Sequence, residues 1–126
     1  NRDEIEALTG RKIECTNDAI NEIRYFHNDG IEFVVISLGE EGSIVGFNNK
    51  IYKVTVPKVN AINPVGSGDS YVAGVAIGLA RNYNINDVLK LASACGTANA
   101  MEKETGSVRK EIVDELIDKI RIEVLE

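Results

Sequence analysis

The sequence predicts an α/β chain, and two sets of observations predict it. Phe33-Val34-Val35-Ile36 is a continuous apolar run rich in β-branched residues, and Ile51 to Val56 alternates along the chain. Elsewhere apolar residues recur at helical spacing, as in Ile20, Ile23 and Phe26 and again in Ile112, Leu116, Ile120 and Val124. A strand, a hairpin and helices packed against a sheet is the architecture that this order implies.

The elements follow in order. Glu4 to Leu8 is a short helical stretch stopped by Gly10. Thr16 and Asn17 are N-cap candidates for the next helix, which Asn28-Asp29-Gly30 terminates. The run from Phe33 to Ile36 suits a strand covered on both faces, as in a parallel sheet. Gly39-Glu40-Glu41-Gly42 is a turn into the strand Ser43 to Phe47. Asn48-Asn49 reverses the chain, and Ile51 to Val56 completes a hairpin that Pro57 ends.

Val59 to Asp69 is expected to be irregular, because Pro64, Gly66 and Gly68 oppose regular structure. A helix from Ser70 to Arg81 follows, with Gly74 and Gly78 on it. Glycine costs about 1 kcal/mol in a helix interior, so the pair implies close backbone packing, here against the sheet. Asn86-Asp87 is expected to cap another helix that turns Val88, Leu91, Ala92 and Cys95 inward. The last helix is placed over Lys110 to Leu125.

Composition narrows the function. A chain of 126 residues fits one domain, and 44% hydrophobic residues suffice for a core. A net charge of −6, without any basic stripe, excludes an electrostatic footprint for nucleic acid or anionic lipid. The nearly apolar stretch from Tyr71 to Ala80 is about half of what a bilayer crossing needs. No signal peptide is present and Asn1 stands where an initiator Met would, so the chain is expected to be an excised or processed piece. Cys15 and Cys95 match no disulfide or zinc spacing and are expected to be reduced and buried in a cytoplasmic protein. The lone His27 is placed on the surface near a helix end.

The chemistry concentrates in Asn63-Pro64-Val65-Gly66-Ser67-Gly68-Asp69, which runs into a helix. Two glycines let the backbone turn tightly and approach a ligand, and a helix start offers unpaired N–H groups and partial positive charge. Asp69 is the unusual member, since a carboxylate beside an anion site repels phosphate. One reason for it is to accept a proton from a hydroxyl attacking a phosphoryl group. The plainer reading is that Asp69 stabilises the helix N-terminus after a glycine turn. A dinucleotide fingerprint is excluded by Tyr71 at its third glycine, and a P-loop by the missing Lys-Ser/Thr pair.

From Asn63 through Ala76 the sequence resembles the C-terminal signature of the PfkB (ribokinase) family of carbohydrate kinases, and its Asn-Pro-Val-Gly-Ser-Gly-Asp-Ser variant resembles the branch acting on sugar phosphates. That branch contains tagatose-6-phosphate kinase and 1-phosphofructokinase. Many relatives carry Asp where this chain has Asn63. Three further segments agree in order. Asn1-Arg2-Asp3-Glu4 resembles the family's Asn-x-x-Glu element, Ser37 to Gly42 its nucleotide loop, and Ala94 to Ala100 the helix beside the base. Taken singly, the first could be a helix cap, the second a tight turn, and Asn99 a surface polar residue.

The resemblance implies the C-terminal part of a ribokinase-like three-layer α/β/α fold: a partial central sheet with a β-hairpin and flanking helices. The N-terminal sugar-binding and lid portion is absent from residues 1–126. It implies transfer of the γ-phosphoryl of ATP to a sugar or sugar-phosphate hydroxyl, with tagatose-6-phosphate or fructose-1-phosphate as acceptor. Asp69 would be the catalytic base, and Gly66, Ser67 and Gly68 the anion hole. Ser37, Gly39, Gly42 and Asn99 would bind nucleotide, and Glu4 and Asn1 would organise Mg²⁺ through water. The piece alone is expected to be inactive, with no nucleic-acid or membrane partner. Uncovered sheet edges make a homodimer a further expectation. A stand-alone nucleotide- or phosphate-binding module and a non-binding structural piece remain the alternatives.

Overall fold

The computed structural model describes all 126 residues. They form two compact units, one of Asn1–Thr55 with Glu123–Glu126 and one of Val56–Ile122.

The first unit contains α1 (Arg2–Thr9), α2 (Thr16–Asn28), β1 (Phe33–Ser37), β2 (Ser43–Phe47) and β3 (Lys50–Thr55). α1 ends at Gly10, whose φ of 72° lets its N–H bond back to the Glu6 carbonyl. In α2 the N-cap is Cys15, one residue before the expected cap. No side chain caps from that position. Instead Asp18 reaches back from the first turn and accepts the Glu14 N–H at 2.9 Å. That backbone bond, with help from Cys15, holds the Asp18 carboxyl below its ordinary range.

β1 differs from expectation. It pairs antiparallel with β2 rather than as a parallel strand, and its burial alternates, with Val34 and Ile36 inside and Phe33 and Val35 partly covered. An unbroken apolar run cannot show which neighbour a strand takes, and here the short Gly39–Glu41 turn dictates a hairpin. The next reversal is as expected. Phe47 pairs with Lys50 across Asn48 and Asn49, whose φ values of 51° and 60° define a type I′ turn. The core joins Ile13, Ile20 and Ile23 to Val34, Ile36, Ile44 and Ile51. His27 lies in the last turn of α2 but is half-buried rather than on the surface. Its ring crosses Gly46, where a Cβ would lie 2.7 Å from Nε2.

The second unit contains α3 (Ser67–Ala80), α4 (Ile85–Ala100) and α5 (Lys110–Ile117). α3 starts three residues earlier than expected, so Ser67, Gly68 and Asp69 form its first turn. Gly66, at φ 86°, makes the bend, and the first-turn N–H groups need no helical acceptor, so Gly68 costs little there. α4 is capped by Asn84, whose side chain accepts the Asp87 N–H at 2.9 Å, so Asn86 and Asp87 lie inside the helix. On α4, Val88, Leu89, Ala92, Ala94 and Ala98 are buried, whereas Leu91 and Cys95 are only half-buried.

The glycines of α3 do face a close neighbour, but it is α4 rather than the sheet. A Cβ on Gly74 would lie 2.6 Å from the Ala92 Cα, and one on Gly78 would lie 3.0 Å from Val88 Cγ2. Outside that seam α3 is apolar and uncovered, with Val72, Ile77 and Leu79 exposed.

The final helix is also shorter than expected. α5 stops at Ile117, Ile120 is buried just after a turn, and β4 (Arg121–Val124) follows with Val124 exposed. Arg-Ile-Glu-Val alternates with period two, a strand pattern that a helical stripe through Ile120 and Val124 conceals. The sheet order is β1-β2-β3-β4, and beyond β4 the Leu125 N–H reaches the Ile51 carbonyl at 2.7 Å. Both cysteines are free, but Cys15 is exposed, contrary to expectation. Cys95 is half-buried, and burial raises its thiol pKa.

Candidate functional site

The residues singled out in the sequence fall into three local groups. In the second unit, Gly66 turns the chain into α3. Its left-handed backbone and close surroundings require glycine, since a Cβ would lie 2.5 Å from Thr105 Cγ2. The Ser67 N–H is engaged with the Pro64 carbonyl at 3.1 Å, so of the three expected anion-hole donors only Gly66 and Gly68 have theirs uncommitted. Asp69 occupies the third position of α3, is exposed, and forms neither a hydrogen bond nor an ion pair. Gly68 is exposed as well, and a Cβ there would meet nothing within 4 Å.

This open surface is held from behind by Asn99, near the C-terminal end of α4. Asn99 is 0% exposed, so it is not the surface residue of the plainer reading. Its Nδ2 donates to the Val65 carbonyl at 2.9 Å and to Ser67 Oγ at 3.3 Å. Its Oδ1 accepts from the Gly106 N–H at 2.7 Å and from Ser70 Oγ at 3.2 Å. Those bonds use both donors and both lone pairs of the amide, which leaves nothing for a nucleotide in this conformation. Asn63 adds a second tie, accepting the Val65 N–H at 3.1 Å and donating to the Lys103 carbonyl at 3.1 Å. The latter bond needs an amide donor, which Asp could not provide. Gly96 lets α4 approach α3, since a Cβ there would lie 3.1 Å from the Ser67 carbonyl.

In the first unit, Ser37 ends β1 and is exposed, and Gly39 opens the following turn at φ 62°. Gly42 closes that turn at φ 89°, where a Cβ would lie 2.0 Å from the Val54 carbonyl oxygen. The Leu38 N–H donates to Gly42 at 2.8 Å and the Gly42 N–H to Gly39 at 3.1 Å, so the turn is closed by its own backbone, with the Gly39 and Glu40 N–H groups left uncommitted. The third group is Asn1 and Glu4. They form a reciprocal capping box, with the Glu4 N–H on Asn1 Oδ1 at 2.9 Å and Glu4 Oε2 accepting from the Asn1 nitrogen at 2.5 Å.

No cluster of three or more His, Cys, Asp or Glu side chains could hold a metal. Mg²⁺ carried by phosphate oxygens and water needs no such cage, and the exposed Glu4 carboxylate is of the kind that can meet it through water.

Comparison with known proteins gives the family. The profile of the pfkB family of carbohydrate kinases matches residues 1–111. The chain belongs to that family. A tagatose-6-phosphate kinase of Staphylococcus epidermidis is 42% identical over 97% of this chain, which covers 40% of that protein. The chain thus spans about 40% of the length of the curated relatives it matches.

Among solved structures, a candidate phosphofructokinase from Staphylococcus aureus superposes with a TM-score of 0.92 at 31% identity, over 100% of this chain and 40% of that one. Phosphofructokinase-2 from Escherichia coli, in complex with substrates and products, gives 0.84 at 25% identity over 94% of this chain and 38% of that one. The α/β architecture is therefore part of the ribokinase-like fold that these pfkB sugar kinases share. No helix of the chain is long and apolar enough to cross a membrane.

Proposed function

We propose that this chain is the nucleotide-binding portion of an ATP-dependent kinase acting on a sugar phosphate, with tagatose-6-phosphate or fructose-1-phosphate as acceptor. The observation that carries the reading is the pairing of an exposed, unpartnered Asp69 with the uncommitted N–H groups of Gly66 and Gly68 at one helix start. A carboxylate in the first turn also favours the helix dipole without any partner, so the reading rests on its neighbours. This one is left open to solvent beside donors suited to an anion.

In the proposed reaction the acceptor hydroxyl oxygen forms a bond to the γ-phosphorus of ATP as the bridging P–O bond to ADP breaks. Asp69 takes the hydroxyl proton. The N–H groups of Gly66 and Gly68 meet charge on the transferring phosphoryl, and because α3 and the Gly66 turn fix them, they need no reorganisation. Ser67 would join them only by releasing the Pro64 carbonyl. Ser37 and Gly39 hold the nucleotide phosphates, and Gly42 supplies the turn that places them. Mg²⁺ would neutralise phosphate charge, with Glu4 and Asn1 acting on it through water. A cytoplasmic location and a chain inactive by itself belong to the same reading.

The test is Asp69→Asn in the full-length enzyme. Turnover should fall by about 10²–10⁴ while ATP affinity stays near that of the parent. Retention of more than about a tenth of turnover would remove Asp69 as the base.

A second reading is a stand-alone ATP- or phosphate-binding module, favoured by the uncommitted Gly66 and Gly68 N–H groups, which can meet an anion without Asp69. It predicts ATP binding with Asp69 dispensable. Pairing of copies into a homodimer fits either reading, because β1 has a single sheet neighbour and so an open edge.

A further inference from the structure

We propose that Asn99 is the positioning residue of the phosphoryl-transfer loop, acting from behind it and never touching the nucleotide. The inference rests on the kinase reading above and assigns Asn99 a role different from nucleotide contact. Its side chain is fully buried, and every hydrogen-bonding group on it is engaged with the protein. The partners are not scattered. Val65, Ser67 and Ser70 bracket the sequence that carries Gly66, Gly68 and Asp69, and Gly106 anchors the opposite side.

One planar amide therefore fixes both the bend before α3 and its first turn. The two donors hold the Val65 carbonyl and the Ser67 hydroxyl, which sets the chain on either side of Gly66. The acceptor oxygen holds Ser70, next to Asp69. A loop whose working N–H groups and carboxylate must stay free for a ligand cannot brace itself with them. It has to be braced through its other groups, and Asn99 supplies that contact. A misplacement of about 1 Å at a reacting group can cost about 10²-fold in rate, which is the scale on which such bracing matters.

The test is steady-state kinetics of the full-length enzyme with ATP and tagatose-6-phosphate, run on Asn99→Ala and Asn99→Asp beside Asp69→Asn. Asn99→Asp keeps the shape but turns donors into acceptors facing the Val65 carbonyl. For both Asn99 variants kcat should fall by about 10²-fold while KM for ATP changes by less than about threefold. A rise in KM for ATP at unchanged kcat would instead make Asn99 a nucleotide contact, and parent values of both would leave it no role; either overturns the proposal.

If neither variant folds, Ser70→Ala removes a single bond to Asn99 from a half-buried site. It should lower kcat by about tenfold, and an unchanged kcat there overturns the proposal too. The Asp69→Asn control separates the two levels. Absence of turnover in the parent sinks the kinase reading itself, and full turnover in Asp69→Asn removes Asp69 as the base, whereas loss of turnover in Asp69→Asn beside parent-like Asn99 variants sinks only the positioning role.

Discussion

The chain holds two glycine-bearing turns that look alike in sequence and differ in what they do with their polar groups. The turn from Gly39 to Gly42 closes on itself: Gly42 donates to Gly39, Leu38 donates to Gly42, and the Val54 carbonyl lies where a Gly42 side chain would be. The Gly66 to Asp69 turn leaves the Gly66 and Gly68 N–H groups and the Asp69 carboxylate without partners, and takes its rigidity from Asn99 and Asn63. Closure from within spends the Leu38, Glu41 and Gly42 N–H groups, whereas bracing from behind leaves a front face that also carries a free carboxylate. By that criterion the second turn is the one we propose as the site of chemistry, and the first offers Ser37 and Gly39 at its exposed end.

The contrast can be broken most sharply at Asp69, where the loss of about 10²–10⁴ in turnover should come with unchanged thermal stability, read by scanning calorimetry. The opposite pattern is expected at Gly42. Gly42→Ala adds strain at positive φ to a clash with backbone, and should destabilise the chain by about 3–5 kcal/mol in urea unfolding. Gly39→Ala, also at positive φ but with nothing within 4 Å of the new Cβ, should cost only about 1–2 kcal/mol. Equal losses at the two glycines would contradict the self-closed description of that turn.

How much of this was legible beforehand depended on distance along the chain. The type I′ reversal at Asn48-Asn49 and the stop at Gly10 were readable because local backbone sterics decide them. The antiparallel pairing of β1 and the strand at Arg121–Val124 were not, because each stretch satisfies two periodicities and only tertiary partners choose between them. At the site, Gly66, Gly68 and Asp69 were visible as a motif. The clamp was invisible, since Asn99 meets Val65 and Gly106 through the fold and no local pattern marks a buried amide.

Smaller effects test the supports. Gly74→Val should cost about 1–3 kcal/mol, because its new side chain meets the Ala92 backbone, which cannot rotate away. A cost near zero would mean that the α3–α4 seam is looser than described.

The smallest effect concerns Asp18, whose folded-state pKa is lowered by the Glu14 N–H. Its contribution to stability should be present above the ordinary carboxylate pKa and disappear as pH falls through the lowered value. Comparing Asp18→Asn with the parent across acid pH should show their unfolding midpoints converging in acid. Midpoints that stay equally far apart at every pH would remove that bond as the cause.

The most direct test of the central claim uses Gly68, where an added side chain meets no protein atom. Mg·ATP would be titrated calorimetrically into the chain and into Gly68→Val, with circular dichroism confirming that both are folded. The parent should bind, and Gly68→Val should bind at least about tenfold more weakly, because the new side chain occupies the ligand's approach to the Gly66 and Gly68 N–H groups. Equal affinity in the two proteins, or no binding by a folded parent, would contradict that claim.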